Sequence, residues 1–559
     1  MEEYTVSDNV VSGSQADYGT SSGNSADGKK GGEKPAEAAR DKAFQDMTRK
    51  VLRASGNKQD LGALGWRADI VVRKKGKSAG TRDVTYIDPV TNKKFRTMTD
   101  ILIGGFYHMD EMSSAVLAAA AAYPLTPIAC SRRSSGRTRS AQKNLFVQGR
   151  PLGWTKRWSD FTPFASSFMA NPYTELIRLR GEQPVFYSEE LGYLVLLRME
   201  DVAEVFRNAD IFSSENVQDP VLPICDEAAR VLASPDYNPI AVMSNRARPH
   251  HTRIRKYTLA GFSGRRMRSL EPFIRQRCET MVDTMLTAGS PVEFVAALGH
   301  PLPGETIFRL IGFPEADDAK LKEWTTNRLA FTWGKASDAE QVDIATKMLS
   351  YWRYCVSFVK MRQSEPADDF TSELLAAHAD DADALSHKEI ESIVYGLSFA
   401  GHEIVTNFLS NGLVSLLSDR QQWEALCADS SLISNAVEEI LRFNSPQTSW
   451  RRVALEDTEI AGYKIPAGTQ VFLSLASANH DEAVFDDPES FDIHRENARA
   501  NIAFGRGIHF CLGKRLAIME AQILLETLTQ RVPSLALVAD QTFEFYPNFY
   551  IPRPQRAMA

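Results

Sequence analysis

The sequence predicts a mainly α-helical protein with a small β subdomain, preceded by a small α+β module and a disordered tail. Three observations support this prediction. Long segments after residue 151 repeat apolar side chains at three- and four-residue spacing, as amphipathic and buried helices do. Strand patterns in the same region are few and short. The chain of 559 residues is also too long for one ordinary hydrophobic core, so we expect several domains.

The helical pattern is clearest in three segments, residues 270–286, 390–417 and 516–532, and we expect each to form a long helix. Short strands are predicted at VFYSE, YLVLLR and FEFYPNFYI. A hairpin is predicted to join TEIAGYKI to QVFLSLA through an intervening PAG turn. These elements predict one mainly helical domain with a small β portion over residues 152–559.

Composition divides the rest of the chain. Residues 1–58 are rich in Ser, Gly, Asp, Glu and Lys with few large apolar side chains, so we expect a disordered tail. Residues 59–108 carry short apolar runs and predict a small folded module. Residues 109–151 are interpreted as a basic linker, since 113–150 hold six Lys or Arg and no acid. That composition also resembles an organelle transit peptide, although such peptides lie at the N-terminus.

Charge, cysteines and hydropathy exclude several classes of protein. The formal net charge of -7 indicates no particular partner. The six cysteines form no CxxC pair, so neither a zinc site nor a disulfide framework is predicted. The longest apolar run, residues 115–130, is too short for a membrane anchor and contains two prolines. We expect a soluble intracellular protein in the cytoplasm, with the nucleus or an organelle as alternatives.

The segment FGRGIHFCLG, residues 504–513, places one cysteine in a glycine-rich loop before a helix predicted to begin around Leu512. Free N–H groups and partial positive charge at a helix N-terminus stabilise a thiolate, so Cys511 is a candidate metal ligand. The glycines at 505, 507 and 513 allow a tight turn that brings the backbone close to a sulfur and a flat cofactor. The alternative is a small buried apolar cysteine.

This segment resembles the haem-thiolate signature FxxGxxxCxG of the cytochrome P450 family at Phe504, Gly507, Cys511 and Gly513. The resemblance covers residues 152–556 and is closest to soluble, bacterial-type members. It implies the family's mostly α fold, a haem b cofactor (iron protoporphyrin IX) bound through Cys511, and O₂-dependent monooxygenation of a small-molecule substrate. In that chemistry the thiolate donates electron density to the iron and favours O–O cleavage.

Other motifs of the family occur in the same order as in its members. EILR supplies Glu439 and Arg442 as the ExxR pair, and Arg495 in FDIHR completes a structural charge cluster by resemblance. Haem propionates need cationic donors. By resemblance, the residues that donate to the propionates or otherwise contact the cofactor are His251, Arg255, Arg452, His509, Phe504, Gly505 and Gly513.

The helix that crosses the distal haem face in this family departs from the usual pattern. AGHEI supplies Ala400, Gly401 and Glu403 as catalytic candidates, but Ile404 replaces the usual threonine. Thr406 cannot substitute, because two residues rotate a helix by roughly 200°. Three explanations remain open: a substrate hydroxyl or water replaces the threonine; the enzyme uses peroxide or performs coupling, dehydration or rearrangement; or the site is weakly active.

The resemblance also indicates partners. No GxGxxG strand–turn–helix unit or cysteine cluster is visible, so electrons are expected from ferredoxin and ferredoxin reductase-type donors, unless peroxide replaces them. By resemblance the pocket is lined by residues 221–243, 329–358, 398–404, 446–450 and 546–549. Their aromatic and apolar content predicts a small or medium apolar substrate such as a terpenoid, fatty acyl chain or aromatic. The same side chains would also fill a helical core.

Residues 66–96 hold nine Lys or Arg against three Asp, which indicates either phosphate contacts or a solvated basic face. The segment resembles a methyl-CpG-binding domain. By position Arg73 and Arg96 would each contact a guanine and Asp83 would orient one of them, giving a DNA-binding surface within residues 60–106. Thr85 replaces the usual tyrosine, and one residue is inserted before Arg96. The alternatives are a fusion that localises oxidation at DNA, a chromatin protein with a weakly active haem domain, and two joined reading frames.

Overall fold

The chain, described here from a computed structural model, divides into two units, Met1–Thr126 and Pro127–Ala559. The structure describes residues 161–541, 543 and 557–559, together with the backbone of five strands at 67–72, 82–87, 94–95, 146–147 and 150–151. The predicted tail at 1–58 lies outside the described residues, as does most of the predicted linker.

The described part of the first unit is an antiparallel sheet in the order β1-β2-β3, formed by Arg67–Val72, Arg82–Ile87 and Lys94–Phe95. Arg67 lies opposite Ile87, and Tyr86 lies opposite Phe95. The predicted DNA contacts Arg73 and Arg96 lie outside the described residues, and only the backbone of Asp83, within β2, is described.

Helices dominate the described part of the second unit. Their bounds are α1 Ser166–Ala170, α2 Tyr173–Glu182, α3 Met199–Arg207, α4 Asp226–Leu232, α5 His250–Thr258, α6 Gly264–Ala288, α7 Pro301–Ile311, α8 Asp318–Thr325, α9 Arg328–Trp333, α10 Asp338–Ser364, α11 Phe370–Asp380, α12 His387–Ser418, α13 Arg420–Ala428, α14 Ile433–Phe443, α15 Leu475–Ala478 and α16 Lys514–Arg531. The three predicted helices correspond to α6, α12 and α16, and the mainly α fold class is confirmed.

Helix α12 is the centre of the hydrophobic core. A capping box between Ser386 and Glu389 begins it, which satisfies backbone donors of its first turn. Along its length, apolar side chains such as Leu409 and Leu413 pack in one cluster with Ile440 of α14 and Leu524 of α16. Burial of such side chains stabilises the folded state by roughly 1.5–3 kcal/mol each. The helix therefore has a fixed position in the unit.

The β subdomain is a five-stranded sheet in the order β6-β7-β12-β9-β8. Its strands are β6 Val185–Ser188, β7 Tyr193–Leu196, β8 Phe212–Ser213, β9 Ser449–Ala454 and β12 Gln470–Ser474. Strand β12 runs parallel to β7 and antiparallel to β9. Two short strands, β4 Phe146–Val147 and β5 Arg150–Pro151, form a separate antiparallel pair.

The predicted hairpin between TEIAGYKI and QVFLSLA is wrong. TEIAGYKI itself forms a hairpin, β10 Thr458–Ile460 with β11 Tyr463–Ile465. Its turn residues Ala461 and Gly462 have φ of 52° and 78°, as a tight two-residue hairpin turn requires. QVFLSLA instead supplies β12 of the main sheet. Most of the predicted strand FEFYPNFYI lies outside the described residues.

Three charged residues fix α14 to the segment that follows the sheet. Glu439 and Arg442 are fully buried, and Arg442 Nε and Nη2 donate to the two carboxylate oxygens of Glu439 at 2.7 Å each. Arg495 Nε donates to Glu439 Oε1 at 3.2 Å. The remaining donors of Arg442 reach the carbonyl oxygens of Asn479, Pro488 and Ser490. A buried pair satisfied in this way is costly to break, because removing one partner leaves a buried charge.

Candidate active site

The loop that carries Cys511 needs glycine at two positions. Gly505 and Gly507 have φ of 66° and 72°, in the left-handed region. A Cβ on Gly507 would also lie 2.3 Å from the carbonyl oxygen of Phe206 in α3. The Cys511 N–H donates to the Phe504 carbonyl oxygen at 3.0 Å and closes the loop. Helix α16 begins at Lys514, two residues later than predicted, so Cys511 lies just before its N-terminus.

The surroundings of Cys511 act on its thiol in opposite directions. Burial raises the pKa of Cys511, while the N–H groups of Gly513 and Lys514 and the positive charges of Arg255 and Lys514 lower it. Arg255 is held against the loop, because its Nη2 donates to the Phe510 carbonyl oxygen at 2.6 Å. A thiol facing amide donors and a guanidinium is suited to bind a metal as the thiolate.

One face of α12 borders open space inside the unit. Between residues 392 and 413 only Gly396, Ala400, Gly401 and Ile404 are not buried. Gly396, Ala400 and Ile404 are four residues apart and share a face of the helix. A Cβ on Gly396 would meet no atom within 4 Å. We call the face formed by Gly396, Ala400 and Ile404 the cavity face.

Ile404 is the apolar end of the cavity face. It packs against a cluster that contains Leu329 and Trp333 of α9, and Val221 and Trp450 pack against the same cluster. The Trp333 and Trp450 rings are stacked, with their centroids 6.1 Å apart. An isoleucine in these surroundings excludes water and donates no hydrogen bond.

The other predicted residues of the AGHEI motif contact neighbouring helices. A Cβ on Gly401 would lie 2.5 Å from Ile307 Cγ1, so this glycine allows α12 and α7 to approach closely. Glu403 is buried and accepts hydrogen bonds from the N–H groups of Asn327 and Leu329 at 2.6 and 3.3 Å. Thr406 donates to the His402 carbonyl oxygen at 2.9 Å. Of the four predicted catalytic residues, Ala400 and Ile404 therefore lie on the cavity face.

The structure brings the predicted cofactor cations together. His251 of α5 and His509 of the cysteine loop have ring centroids 4.3 Å apart. The Arg452 guanidinium is fully buried over the Phe206 ring. Burial, followed by Arg255 and Arg248, lowers the pKa of His251 to about 4. Burial also lowers the pKa of Arg452 to about 9.

This cation cluster of His251, Arg255, Arg452 and His509 fits an anionic group. Both ring nitrogens of His251, and Nε and Nη2 of Arg452, are buried without a hydrogen-bond partner. Burial, then the charge of Arg452, lowers the pKa of His509 to about 3, so this ring is neutral near pH 7 and the positive charge lies on Arg452 and Arg255. Buried cationic donors are costly unless an anion accepts from them. Two carboxylates, such as haem propionates, would satisfy these donors.

Sequence reasoning assigned no role to Arg451. Its side chain is fully buried, lies 3.9 Å from the centroid of the Trp333 ring, and donates from Nη2 to the carbonyl oxygens of Val217 and Asp219. It thereby holds the 217–219 loop against the apolar cluster beside Ile404. Alternation along a strand could have indicated this role, since consecutive residues such as Arg451 and Arg452 point to opposite faces.

Exposed cations and exposed apolar side chains lie on α5, α6 and α16, on the residue that follows α5, and in the cysteine loop itself. Leu259 is 47% exposed and Phe510 is 40% exposed. Lys256, Arg268 and Arg515 are exposed. The Arg268 and Arg515 guanidinium groups converge over Gly264, within 3.5 and 3.7 Å of the position of a Cβ there. We call these five residues, Lys256, Leu259, Arg268, Phe510 and Arg515, the basic surface.

The described residues limit the alternatives for metal binding and for membrane insertion. No group of three or more His, Cys, Asp or Glu side chains there is arranged to hold a metal ion. None of the helices described combines the length and apolarity needed to cross a bilayer. A metal held by the described residues would therefore have at most two of these side chains as ligands, which a porphyrin-bound iron with one protein thiolate satisfies.

Comparisons with known proteins agree with this geometry. The family model "Cytochrome P450" matches residues 344–533, and the model "Methyl-CpG binding domain" matches residues 57–103. The biotin biosynthesis cytochrome P450 of Bacillus subtilis is 33% identical over 390 residues, which are 69% of this chain and 95% of that protein. The cytochrome P450 monooxygenase PikC of Streptomyces venezuelae is 33% identical over 70% of this chain and 91% of its own.

A solved structure gives the same result. Cytochrome P450 CREJ in complex with (4-ethylphenyl) dihydrogen phosphate is 38% identical, with a TM-score of 0.69 over 71% of this chain and 98% of that chain. The residues matched by the cytochrome P450 model include the cysteine loop, Arg452 and the cavity face. The chain belongs to the cytochrome P450 family.

Proposed function

We propose that this protein is an O₂-dependent monooxygenase that acts on a small or medium apolar organic molecule. The observation that carries the proposal is the buried Arg452 guanidinium and the buried His251 ring, both with unpartnered nitrogens, beside one cysteine loop. When haem b is bound, it supplies the activation of O₂ and the insertion of an oxygen atom into the substrate. The polypeptide holds the cofactor, orients the substrate and controls water and protons.

Cys511 would ligate the iron through Sγ, with the Gly513 and Lys514 N–H groups favouring the thiolate. His251, Arg255, Arg452 and His509 would hold the propionates. This role is supported by the unpartnered buried nitrogens of His251 and Arg452 and by the positions of Arg255 and His509 beside them. Phe504 and Gly505 shape the loop on the cofactor side. These roles follow the family's arrangement and agree with the contacts of each residue.

Ile404 makes the proton supply unusual. Its side chain carries no hydroxyl to hold a water, and the Glu403 carboxylate accepts from the backbone of α9. We infer that a substrate hydroxyl or an ordered water holds the proton at this position. The same observation favours an alternative, namely peroxide-dependent or non-hydroxylating chemistry, since neither needs the usual relay.

The apolar cluster beside Ile404 supports an apolar substrate. Leu329, Trp333 and Trp450 surround this end of the cavity face with aromatic and aliphatic groups. Sites of this composition bind the apolar body of a ligand and use a few polar groups for orientation. An alkyl-substituted aromatic molecule fits this description, and the related CREJ structure holds (4-ethylphenyl) dihydrogen phosphate.

The basic surface supports an acidic electron donor of the ferredoxin type, served by its reductase. Its exposed cations would attract a negatively charged protein, and the exposed Leu259 and Phe510 would be covered on docking. Phe510 directly precedes Cys511, so a partner bound here lies near the predicted iron ligand.

DNA binding by the N-terminal module is a second proposed function. It is supported by the match of the methyl-CpG binding domain model to residues 57–103 and by the surplus of cations there. We propose a domain division into a tail at 1–58, a DNA-binding module at 59–108, a linker at 109–151 and a haem domain at 152–559. We place the protein in the cytoplasm, or in the nucleus if the module binds DNA.

Replacement of the predicted iron ligand tests the main proposal. We expect Cys511→Ser to lose the red-shifted Soret band of the reduced, carbon monoxide-bound protein, because a hydroxyl is a poor ligand for this iron. Turnover should fall to background. The matched control Cys427→Ser, in α13, should keep the band. A Cys511→Ser protein that retains the thiolate spectrum would contradict the assignment.

The distal position is tested by adding the missing hydroxyl. We expect Ile404→Thr to raise product formed per electron pair by up to roughly a hundredfold with ferredoxin-type donors, because the hydroxyl can hold a proton-delivering water. Ile404→Val is the control for shape without the hydroxyl. Equal coupling in both variants, together with efficient peroxide-driven turnover of the unchanged protein, would favour the peroxide alternative.

Charge reversal on the basic surface tests the electron donor. Lys256→Glu combined with Arg268→Glu should raise the KM for an acidic ferredoxin roughly tenfold at low salt, since the steering attraction is lost. Lys335→Glu combined with Arg353→Glu, two exposed positions before and within α10, is the control with the same change in net charge. An unchanged KM in the double variant would show that the ferredoxin does not dock on the basic surface.

Gel shifts with the full chain test DNA binding. Arg73→Ala and Arg96→Ala should each weaken binding to a methylated CpG duplex by about tenfold to a hundredfold, the value of a bidentate guanine contact. Arg139→Ala in the linker is the control. Equal, salt-sensitive binding to methylated and unmethylated duplexes of any sequence would show a nonspecific basic patch.

A further inference from the structure

Arg328, the first residue of α9, places a cation beside the cavity face. The centre of its guanidinium lies 4.5 Å from the centroid of the Phe399 ring, directly before Ala400 in α12. Its backbone is held there, because Glu403 accepts from the N–H groups of the residues on either side, Asn327 and Leu329. The backbone of Arg328 is therefore held against α12, and the ring contact places its guanidinium over Phe399.

The hydrogen bonds of Arg328 do not neutralise its charge. Nη2 donates to Gln218 Oε1 at 2.9 Å, a neutral partner. Nε is buried and has no hydrogen-bond partner. In the part of the chain that the structure describes, Arg328 forms no ion pair, and its side-chain hydrogen bond is the one to Gln218. A partly buried cation with so little compensation is expensive for a purely structural residue.

Other buried arginines show what structural roles look like in this protein. Arg442 is paired with Glu439 on both carboxylate oxygens. Arg451 donates to the Tyr193 hydroxyl and to two carbonyl oxygens. Arg452 has unpaired buried donors, and it belongs to the cation cluster assigned to an anionic cofactor. Nε is buried without a partner in Arg328, Arg451 and Arg452 alike. Arg328 differs from Arg451 because its side chain donates to a neutral amide and not to carbonyl oxygens of a loop.

Polar groups lie close to the Arg328 side chain. Gln218 is oriented by a second bond, because its Nε2 donates to Ser244 Oγ at 3.3 Å. The hydroxyl groups of Tyr237 and Tyr395 are 3.1 Å apart, and the Tyr395 ring also lies under the guanidinium at 5.9 Å. A cation, an oriented amide and two hydroxyls next to an apolar wall form an arrangement that binds one end of a ligand.

We propose that Arg328 binds an anionic head group, a carboxylate or a phosphate, of a substrate whose apolar body lies along the cavity face. This inference rests on the proposed monooxygenase function and specifies its substrate class. The charge-assisted bond from the guanidinium would supply affinity. It would also fix the distance between the head group and the carbon that is oxidised, because Arg328 is held by the backbone of α9.

The unchanged haem-loaded protein gives the first test. A para-alkyl phenol, the matching benzoate and the matching phenyl phosphate are titrated, and binding is followed by the shift of the Soret band. At least one anionic ligand should bind roughly tenfold or more tightly than the neutral phenol, as a charged hydrogen bond predicts. The tighter anion identifies a carboxylic acid or a phosphate monoester as the substrate class. Equal or weaker binding of both anions overturns the proposal.

Variants give the second test. Arg328→Gln should weaken the binding of the preferred anion by roughly tenfold to a hundredfold and change the binding of the phenol by no more than about twofold. Arg328→Lys should keep part of the preference for the anion. Arg353→Gln is the control for a cation outside the cavity. If Arg328 only anchors the loop that carries Gln218, the substitution weakens the binding of both ligands to the same extent, and that result overturns the proposal.

The carbon monoxide spectrum separates this inference from the proposed function. A variant that keeps the thiolate band is folded and haem-loaded, so a missing anion preference then rejects the Arg328 site alone. Loss of that band in the unchanged protein would instead reject the haem-thiolate assignment. If Arg328→Gln does not fold, the comparison of ligands on the unchanged protein and on Arg328→Lys decides.

Discussion

Buried positive charge around one sulfur is the constraint on which the rest of this structure depends. The guanidinium of Arg452 and the ring of His251 are buried with unpaired donors, and burial lowers the pKa of both. Such a cluster is stable only opposite an anion. The cysteine loop beside it provides a soft ligand at a helix N-terminus. Together these features select a negatively charged, iron-containing cofactor, which agrees with haem b and the cytochrome P450 family.

Helix α12 shapes the substrate side of that cofactor site. Its small residues serve two purposes: Gly401 lets α7 approach closely, whereas Gly396 and Ala400 leave space on the opposite side. Glu403 ties the helix to α9, so that the wall bearing Trp333 keeps a constant position relative to Ile404. The chemistry at position 404 is therefore decided by an apolar side chain in rigid surroundings, and protons must come from another group.

The buried arginines differ in function because their partners differ. Arg442 pairs with a carboxylate and fixes the fold, and Arg451 uses carbonyl oxygens to position a loop. Nε of Arg451, Arg452 and Arg328 is buried without a partner in each case. Among the described residues, however, Arg452 donates only to the adjacent Arg451 carbonyl oxygen, in the cofactor cluster, and Arg328 donates only to the Gln218 amide, near the cavity face. The same physical argument thus connects cofactor binding with the proposed recognition of substrate.

The sequence by itself determined the helical class, the three long helices and the cysteine loop, because apolar periodicity and glycine turns act over a few neighbouring residues. The motif spacing also indicated the Glu439–Arg442 pair, which lies within one helical turn. Only the tertiary structure decided that β12 pairs with β7 and β9, that Glu403 accepts from α9, and that Arg328 faces α12. These contacts join segments far apart in the chain, so no local pattern encodes them. Side-chain direction at a cavity depends on which distant elements surround it.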